Sequence, residues 1–155
     1  MSAAPGHGRG VLGLSHATFV ASDLERTARL FCEGLGARQV YDSAGREHSL
    51  SREKFFVLGG LWLAVMEGPP LTERSYRHLA FAVDAAELPV FQARLQGLGI
   101  EVRCGRGRID GEGQSLYFHD HDNHLFELHA GSLEQRLAAY AAADRDGGGS
   151  GTGTG

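Results

Sequence analysis

The chain is short of the residues that would tie it to an oxidising compartment, a membrane or a polyanion. Two cysteines in 155 residues, Cys32 and Cys104, make neither a disulfide framework nor a zinc ribbon. No positioned base accompanies either one, so both are expected to be reduced thiols of a cytoplasmic protein rather than nucleophiles. No apolar run approaches the roughly 20 residues that a membrane span needs. The opening MSAAPGHGRG lacks the apolar core of a secretion signal. Neither sign of charge is in large excess: 15 Lys and Arg stand against 19 Asp and Glu, for a net charge of −4. Nothing in that balance points to a nucleic-acid or membrane partner. What is left is a chain of one-domain size, or of two small modules sharing a core. Histidine, by contrast, is plentiful, with eight in the chain.

The organisation is an internal repeat. HATFVASDLERTARLFCEGLG at 16–36 aligns with HLAFAVDAAELPVFQARLQGLG at 78–99, and each half reads βαβββ. In the first half, about 12–68, Leu12 to Ala21 alternates as a strand with Leu14, His16, Thr18 and Val20 on one face. Ser22-Asp23-Leu24-Glu25 predicts a capping box, and Leu24, Ala28, Phe31 and Leu35 form a helical stripe that Gly34 and Gly36 end. Short strands are expected at Arg38 to Asp42, His48 to Leu50, Lys54 to Leu58 and Leu61 to Glu67, with turns at Ala44-Gly45 and Gly59-Gly60. Gly68-Pro69-Pro70 opens a linker to Arg74. The second half, about 76–131, restarts with a strand from Tyr76 to Val83. Asp84 to Glu87 repeats the capping logic, and Leu88, Phe91, Leu95 and Leu98 give the second helical stripe. Strands follow at Glu101 to Cys104, Ser115 to Phe118 and His124 to His129. Ser132 to Gln135 is a third capping box, opening a helix to about Ala143. Residues 1–10 and the Gly-rich 144–155 are expected to be disordered. The expected fold is therefore α+β, with paired βαβββ modules filling 11–143 and mixed sheets curling around a site.

The candidate chemistry starts at Glu127. Its neighbours Leu125, Phe126 and Leu128 make burial of a carboxylate costly without a cation. An Arg partner, an exposed sheet edge and a metal ion all satisfy that demand. In the repeat frame His16 and His78 occupy equivalent positions, while Glu127 stands opposite Ala64 and belongs to one half only. Two imidazoles and a carboxylate can hold a divalent cation with open positions, and the set does not choose among Zn, Mn, Fe and Ni. On spacing alone Glu53 is an exposed charge between Arg52 and Lys54, Arg106-Gly107-Arg108 is a solvated basic loop or an anion contact, and Trp62 is core or site lining. His119, His121, His124 and His129 are expected at the surface or behind the site.

The repeat, the two strand histidines and the strand glutamate resemble the vicinal oxygen chelate superfamily, which includes glyoxalase I, extradiol dioxygenases, bleomycin-binding proteins and fosfomycin-resistance enzymes. LSREKFF at 50–56, MEG at 66–68, ERSYRH at 73–78, GEGQSLYF at 111–118 and DNHLFELHAG at 122–131 look most like the FosX-type epoxide hydrolases of that group. The chain departs from their pattern at Arg77, Gln114, His119 and His121. The resemblance implies a divalent metal, usually Mn²⁺, on His16, His78 and Glu127. It implies a homodimer whose sites are shared, with His16 meeting the other subunit's pair. It implies Glu53 as general base, and Thr18, Tyr117, Arg136, Arg108 and Ser115 as contacts to a phosphonate epoxide. The implied reaction is opening of fosfomycin by water to a vicinal diol. Thiol transfer to the same drug, or drug binding without chemistry, are the alternatives within the fold.

Overall fold

A computed structural model describes residues 10–46, 48–105 and 109–147. Two four-stranded sheets carry the two halves of the repeat. In the first, β1 (His16–Ala21) runs parallel to β4 (Leu61–Glu67), and β3 (Glu53–Leu58) and β2 (Arg38–Asp42) continue antiparallel, in the order β1-β4-β3-β2. In the second, β5 (His78–Ala82) runs parallel to β8 (Leu125–Ala130), followed by β7 (Gln114–His119) and β6 (Val102–Cys104). The same order and the same parallel first pairing in both sheets confirm the repeat. Residues described in 68–77 form no regular element, as the Gly-Pro-Pro break predicts.

Period-2 alternation sends one set of side chains from each sheet into a single shared core. Phe56, Leu63 and Val65 from the first sheet meet Phe126, Leu128 and Phe118 from the second. Phe31 links them, with its ring 5.3 Å from Phe56 and 5.9 Å from Phe126. The helical segments after β1 and β5 add Leu24, Ala28, Leu88 and Leu95, with the C-cap residue Leu35, to the same core. α1 (Leu24–Arg29) continues into a π-helical turn, Leu30–Gly34, where Gly34 lets α2 (Leu88–Gly97) approach closely. A Cβ there would lie 3.2 Å from Leu95 and 3.3 Å from Leu98. α3 (Leu133–Gly147) closes the described chain.

Several expectations change in detail. β1 begins at His16, not Leu12, and Leu12 and Leu14 are exposed. His48 to Leu50 forms a bend and not a strand, with no pairing strand among the described residues and Leu50 in solvent. Asp23, not Ser22, caps α1: its carboxylate accepts from the Arg26 N–H at 2.9 Å, and that bond holds its pKa below the ordinary value. Ser22 is drawn off to the other module. Its N–H and hydroxyl both donate to the fully buried Asp122 carboxylate, at 3.0 and 2.6 Å, which ties the two repeats together. Asp84 makes no side-chain cap, and Ala85–Glu87 is a 3₁₀ turn leading into α2. α3 runs four residues past Ala143 because Asp144, Arg145 and Asp146 contain no helix breaker. Residues 1–9 and 148–155, expected to be disordered, lie outside the described residues, as does Arg108.

Candidate functional site

Strand register fixes which residues can meet. Each sheet turns one face to the core, and the opposite face carries the candidate chemistry. On the second sheet, Ala80, Glu127, Tyr117 and Arg103 make one rung across β5, β8, β7 and β6, with His78 and Leu125 on one side of it and His129 and Ser115 on the other. On the first sheet the rungs are His16 with Trp62 and Val57, Thr18 with Ala64 and Phe55, and Val20 with Met66 and Glu53. Sequence candidates thus fall into two groups on two sheets. His78 flanks the rung of Glu127 and Tyr117, with Ser115 on its other side, while His16, Thr18 and Glu53 share one face on successive rungs; Thr18 also lines a cavity of about 630 Å³ together with His78. Among the described residues no three His, Cys, Asp or Glu gather in one place to hold a metal ion.

The second-sheet group has a defined proton arrangement. His78 Nδ1 lies 2.7 Å from the Tyr76 carbonyl oxygen. A carbonyl only accepts, so Nδ1 carries the proton. That leaves Nε2, 2.9 Å from Glu127 Oε2, as the atom facing the carboxylate. In the neutral ring two lone pairs face each other there, an arrangement that a cation satisfies; a carbonyl fixing the far nitrogen is the usual setting of a metal-binding histidine. The donors therefore fit the divalent cation read from the sequence. Glu127 is only 5% exposed, and its other oxygen accepts from the Ser115 hydroxyl at 2.6 Å. The Tyr117 phenol is pushed well above its ordinary pKa, first by burial and then by hydrogen bonding with Glu127 and Tyr76, so it stays a neutral donor. Arg136, from the start of α3, joins Ser115, Tyr117, His129 and Glu112 around a small cavity of about 40 Å³, with its Nε 3.9 Å from Glu112. A larger hollow of about 770 Å³ opens beside it, lined in part by Tyr76, Arg103, Tyr117 and His119. The His119 imidazole is held below its ordinary pKa by burial first, and then by Arg74 and Arg103.

The first-sheet group has a different character. His16 is exposed and lies against Trp62, ring centroids 4.3 Å apart. Phe55 follows at 5.2 Å from Trp62, and Tyr41 at 4.9 Å from Phe55, so an aromatic row leads across the face. Trp62 is 39% exposed and lines this face rather than the core. Glu53, which spacing alone makes an exposed charge, is 8% exposed. Its backbone is held by a reciprocal pair with Ser43, N–H to Oγ at 3.1 Å and Ser43 N–H to the Glu53 carbonyl at 3.0 Å. Among the described residues, no hydrogen bond or ion pair reaches its carboxylate. The residue is largely covered, while its carboxylate opens onto the face of the sheet without a protein partner among the described residues. Tyr76, whose carbonyl orients His78, is not evident from the sequence; backbone contacts of this kind leave no mark in side-chain pattern.

Known proteins of the same type bear on this arrangement. The family model described as the Glyoxalase/Bleomycin resistance protein/Dioxygenase superfamily matches residues 13–128. The fosfomycin resistance protein FosX of Listeria innocua serovar 6a is 48% identical over 130 residues, covering 84% of this chain and 98% of that protein. The metallothiol transferase FosB of Bacillus licheniformis is 34% identical over 134 residues, covering 84% of this chain and 82% of that protein. Among solved structures, a mutant of FosX from Listeria monocytogenes, complexed with Mn(II) and 1S,2S-dihydroxypropylphosphonic acid, superimposes with a TM-score of 0.76 at 45% identity. It covers 84% of this chain and 99% of that one.

Proposed function

The chain belongs to the glyoxalase/bleomycin resistance protein/dioxygenase superfamily, and from that premise we propose that it is a metal-dependent hydrolase that opens the epoxide of fosfomycin with water and so confers resistance to the drug. The divalent cation is Mn²⁺, as in the similar FosX structure. His78 and Glu127 would hold it, and the partner subunit's His16 would complete the set in a homodimer. When bound, the metal supplies Lewis-acid polarisation of the oxirane oxygen. The protein's own groups do the rest. Glu53 takes a proton from water as the water oxygen bonds to the phosphonate-bearing carbon and that carbon's bond to the oxirane oxygen breaks. The released oxygen takes a proton from solvent and Glu53 returns its own to solvent, so one water is consumed and the product is the vicinal diol. Arg136 holds the phosphonate by a permanent charge, and Tyr117 lines the phosphonate pocket beside it. Thr18, on the same face as His16, lies toward the oxirane, and Arg108 adds positive charge. Two free thiols fit a reducing cytoplasm. Among the described residues no helix is long and apolar enough to cross a membrane.

The observation that carries the hydrolase reading is Glu53, placed on the same sheet face as His16 and Thr18 with no hydrogen bond or ion pair to its carboxylate among the described residues. Water needs a base to become a nucleophile at neutral pH, whereas a thiol ionises readily without one. A phosphorus NMR time course with Mn²⁺-loaded protein and fosfomycin, with and without glutathione, tests it. Diol without thiol is the expected result. Product only with thiol would make the protein a transferase like the FosB relative; no conversion with metal bound would leave a binding protein or another substrate. Glu53→Gln is expected to retain Mn²⁺ and substrate binding while hydration falls by a factor of about 10² or more. A variant that turns over at the wild-type rate would remove Glu53 from the base role.

A further inference from the structure

We propose that His129 and Ser115 form a positioning pair that fixes the Glu127 carboxylate for metal binding, with His129 acting through Ser115 and touching neither metal nor substrate. The inference rests on the reading of Glu127 as a metal ligand and adds two residues behind it. Register places them there: Ser115 and His129 are direct partners across β7 and β8, one rung from Tyr117 and Glu127.

The direction of each hydrogen bond is determined by the atoms available. The Ser115 hydroxyl donates to Glu127 Oε1 at 2.6 Å. A serine has one hydroxyl proton, so it has none left for His129, whose Nδ1 stands 2.7 Å away. His129 Nδ1–H is therefore the donor to Ser115 Oγ, and it also lies 3.4 Å from Glu127 Oε1. The chain runs one way, from imidazole to hydroxyl to carboxylate. It occupies Oε1 and leaves Oε2 facing His78 Nε2 at 2.9 Å. It also redefines Ser115. Phosphonate oxygens only accept hydrogen bonds, and the Ser115 proton is already on Glu127, so Ser115 supports the ligand rather than gripping the substrate.

A second observation shows that the imidazole has a built seat. A Cβ at Gly131 would lie 2.7 Å from His129 Nε2, and one at Gly113 would lie 3.0 Å from its Cε1 and 2.6 Å from the Ala130 carbonyl. Two glycines therefore clear the space that the outer edge of the ring fills, and Gly113 adds a φ of +103° that side chains rarely adopt. With one edge boxed by backbone and the other on Ser115, the ring has little freedom to turn. Groups that orient a metal ligand in this way typically contribute 10- to 100-fold in affinity.

The test is a Mn²⁺ titration of the full-length chain, following free Mn²⁺ by its electron paramagnetic resonance signal, alongside thermal melts of the metal-free protein. Ser115→Ala and His129→Phe are each expected to weaken Mn²⁺ binding by about 10- to 100-fold. The double variant is expected to lose no more than the weaker single, because both break one chain. His129→Asn, whose side-chain amide can donate from near the Nδ1 position, is expected to recover most of the loss. Should His129→Phe fail to fold, Ser115→Ala and His129→Asn decide the matter. If Glu127→Gln abolishes binding while Ser115→Ala and His129→Phe bind as the wild type does, the positioning role is wrong and the metal reading stands. A drop in melting temperature with unchanged affinity would overturn the positioning role in the same way. If Glu127→Gln itself binds Mn²⁺ normally, both readings fall.

Discussion

Lys54 sits one residue from Glu53 but on the opposite, core-facing side of β3, with its side chain 4% exposed. Burial alone would lower its pKa. Hydrogen bonds to Glu25 at 2.8 Å and Asp42 at 3.0 Å outweigh burial and raise it above the ordinary 10.5. The ammonium thus ties β3 to α1 and to β2 just where the strand presents Glu53 on its other face. A pKa raised by folding stabilises the native state fully below the unfolded value and loses that contribution as pH rises through the folded one. Denaturant melts are therefore expected to show wild-type stability falling above about pH 10.5, with a smaller fall in Lys54→Met. At neutral pH that variant is expected to be less stable by about 2 kcal/mol, the scale of hydrogen bonds to a charged group. Equal slopes in the two proteins would show that Lys54 carries no such linkage. This residue scale was the least legible in sequence. Glu53 and Lys54 are adjacent charges in one short run, and only strand register separates a candidate base from a structural anchor. The histidines at 16 and 78 were legible because the repeat puts them in equivalent places; the role of His129 was not, because it depends on the direction of a hydrogen bond.

At the scale of elements, α3 shows how a local sequence signal reaches the site. Ser132 and Gln135 form a reciprocal capping box: the Ser132 N–H donates to Gln135 Oε1 at 2.9 Å and the Gln135 N–H to Ser132 Oγ at 3.2 Å. The next bond, from the Arg136 N–H to the Ser132 carbonyl at 3.1 Å, is the first of the helix proper. The cap therefore sets the turn from which Arg136 projects. Ser132→Ala removes one of the two capping bonds, at a cost of about 1 kcal/mol to the helix start. Hydrogen exchange is expected to accelerate at the first turn of α3, and KM for fosfomycin to rise while Mn²⁺ affinity holds. A change in metal affinity with unaltered KM would contradict the assignment of Arg136 to the phosphonate. This box was readable because its two partners lie three residues apart. The Ser22 box had the same spacing and failed because Asp122, 100 residues away, competes for Ser22. Local chemistry predicts a cap only where no tertiary partner outbids it. The same limit explains the missing strand at 48–50, where His48, Ser49 and Leu50 find no pairing strand among the described residues.

At the scale of the whole molecule, the repeat explains why one chain carries two groups of candidate residues on two sheets. Both sheets pack their inner faces on one core, so the faces carrying His16 and His78 are both turned outward. The first of these also exposes Val20 and Trp62, apolar side chains beside a histidine that, among the described residues, belongs to no metal-binding cluster within its own chain. A dimer that lays the first sheet of one subunit against the second sheet of the other would cover that face. It would also bring His16, Thr18 and Glu53 to His78, Glu127 and Tyr117. Such sharing makes a quantitative prediction. His16→Ala and Glu127→Gln are each expected to be inactive alone. In a heterodimer of the two, one site carries both substitutions and the other carries neither. Random reassortment of equal amounts makes about half of the dimers mixed, each with one intact site of two, so about a quarter of wild-type activity should return. Co-refolding the two differently tagged variants and isolating the doubly tagged species measures this directly, and that species should have half the wild-type activity per dimer. If each site were built within one chain, every site in the mixture would carry one of the two substitutions and the activity would stay at zero.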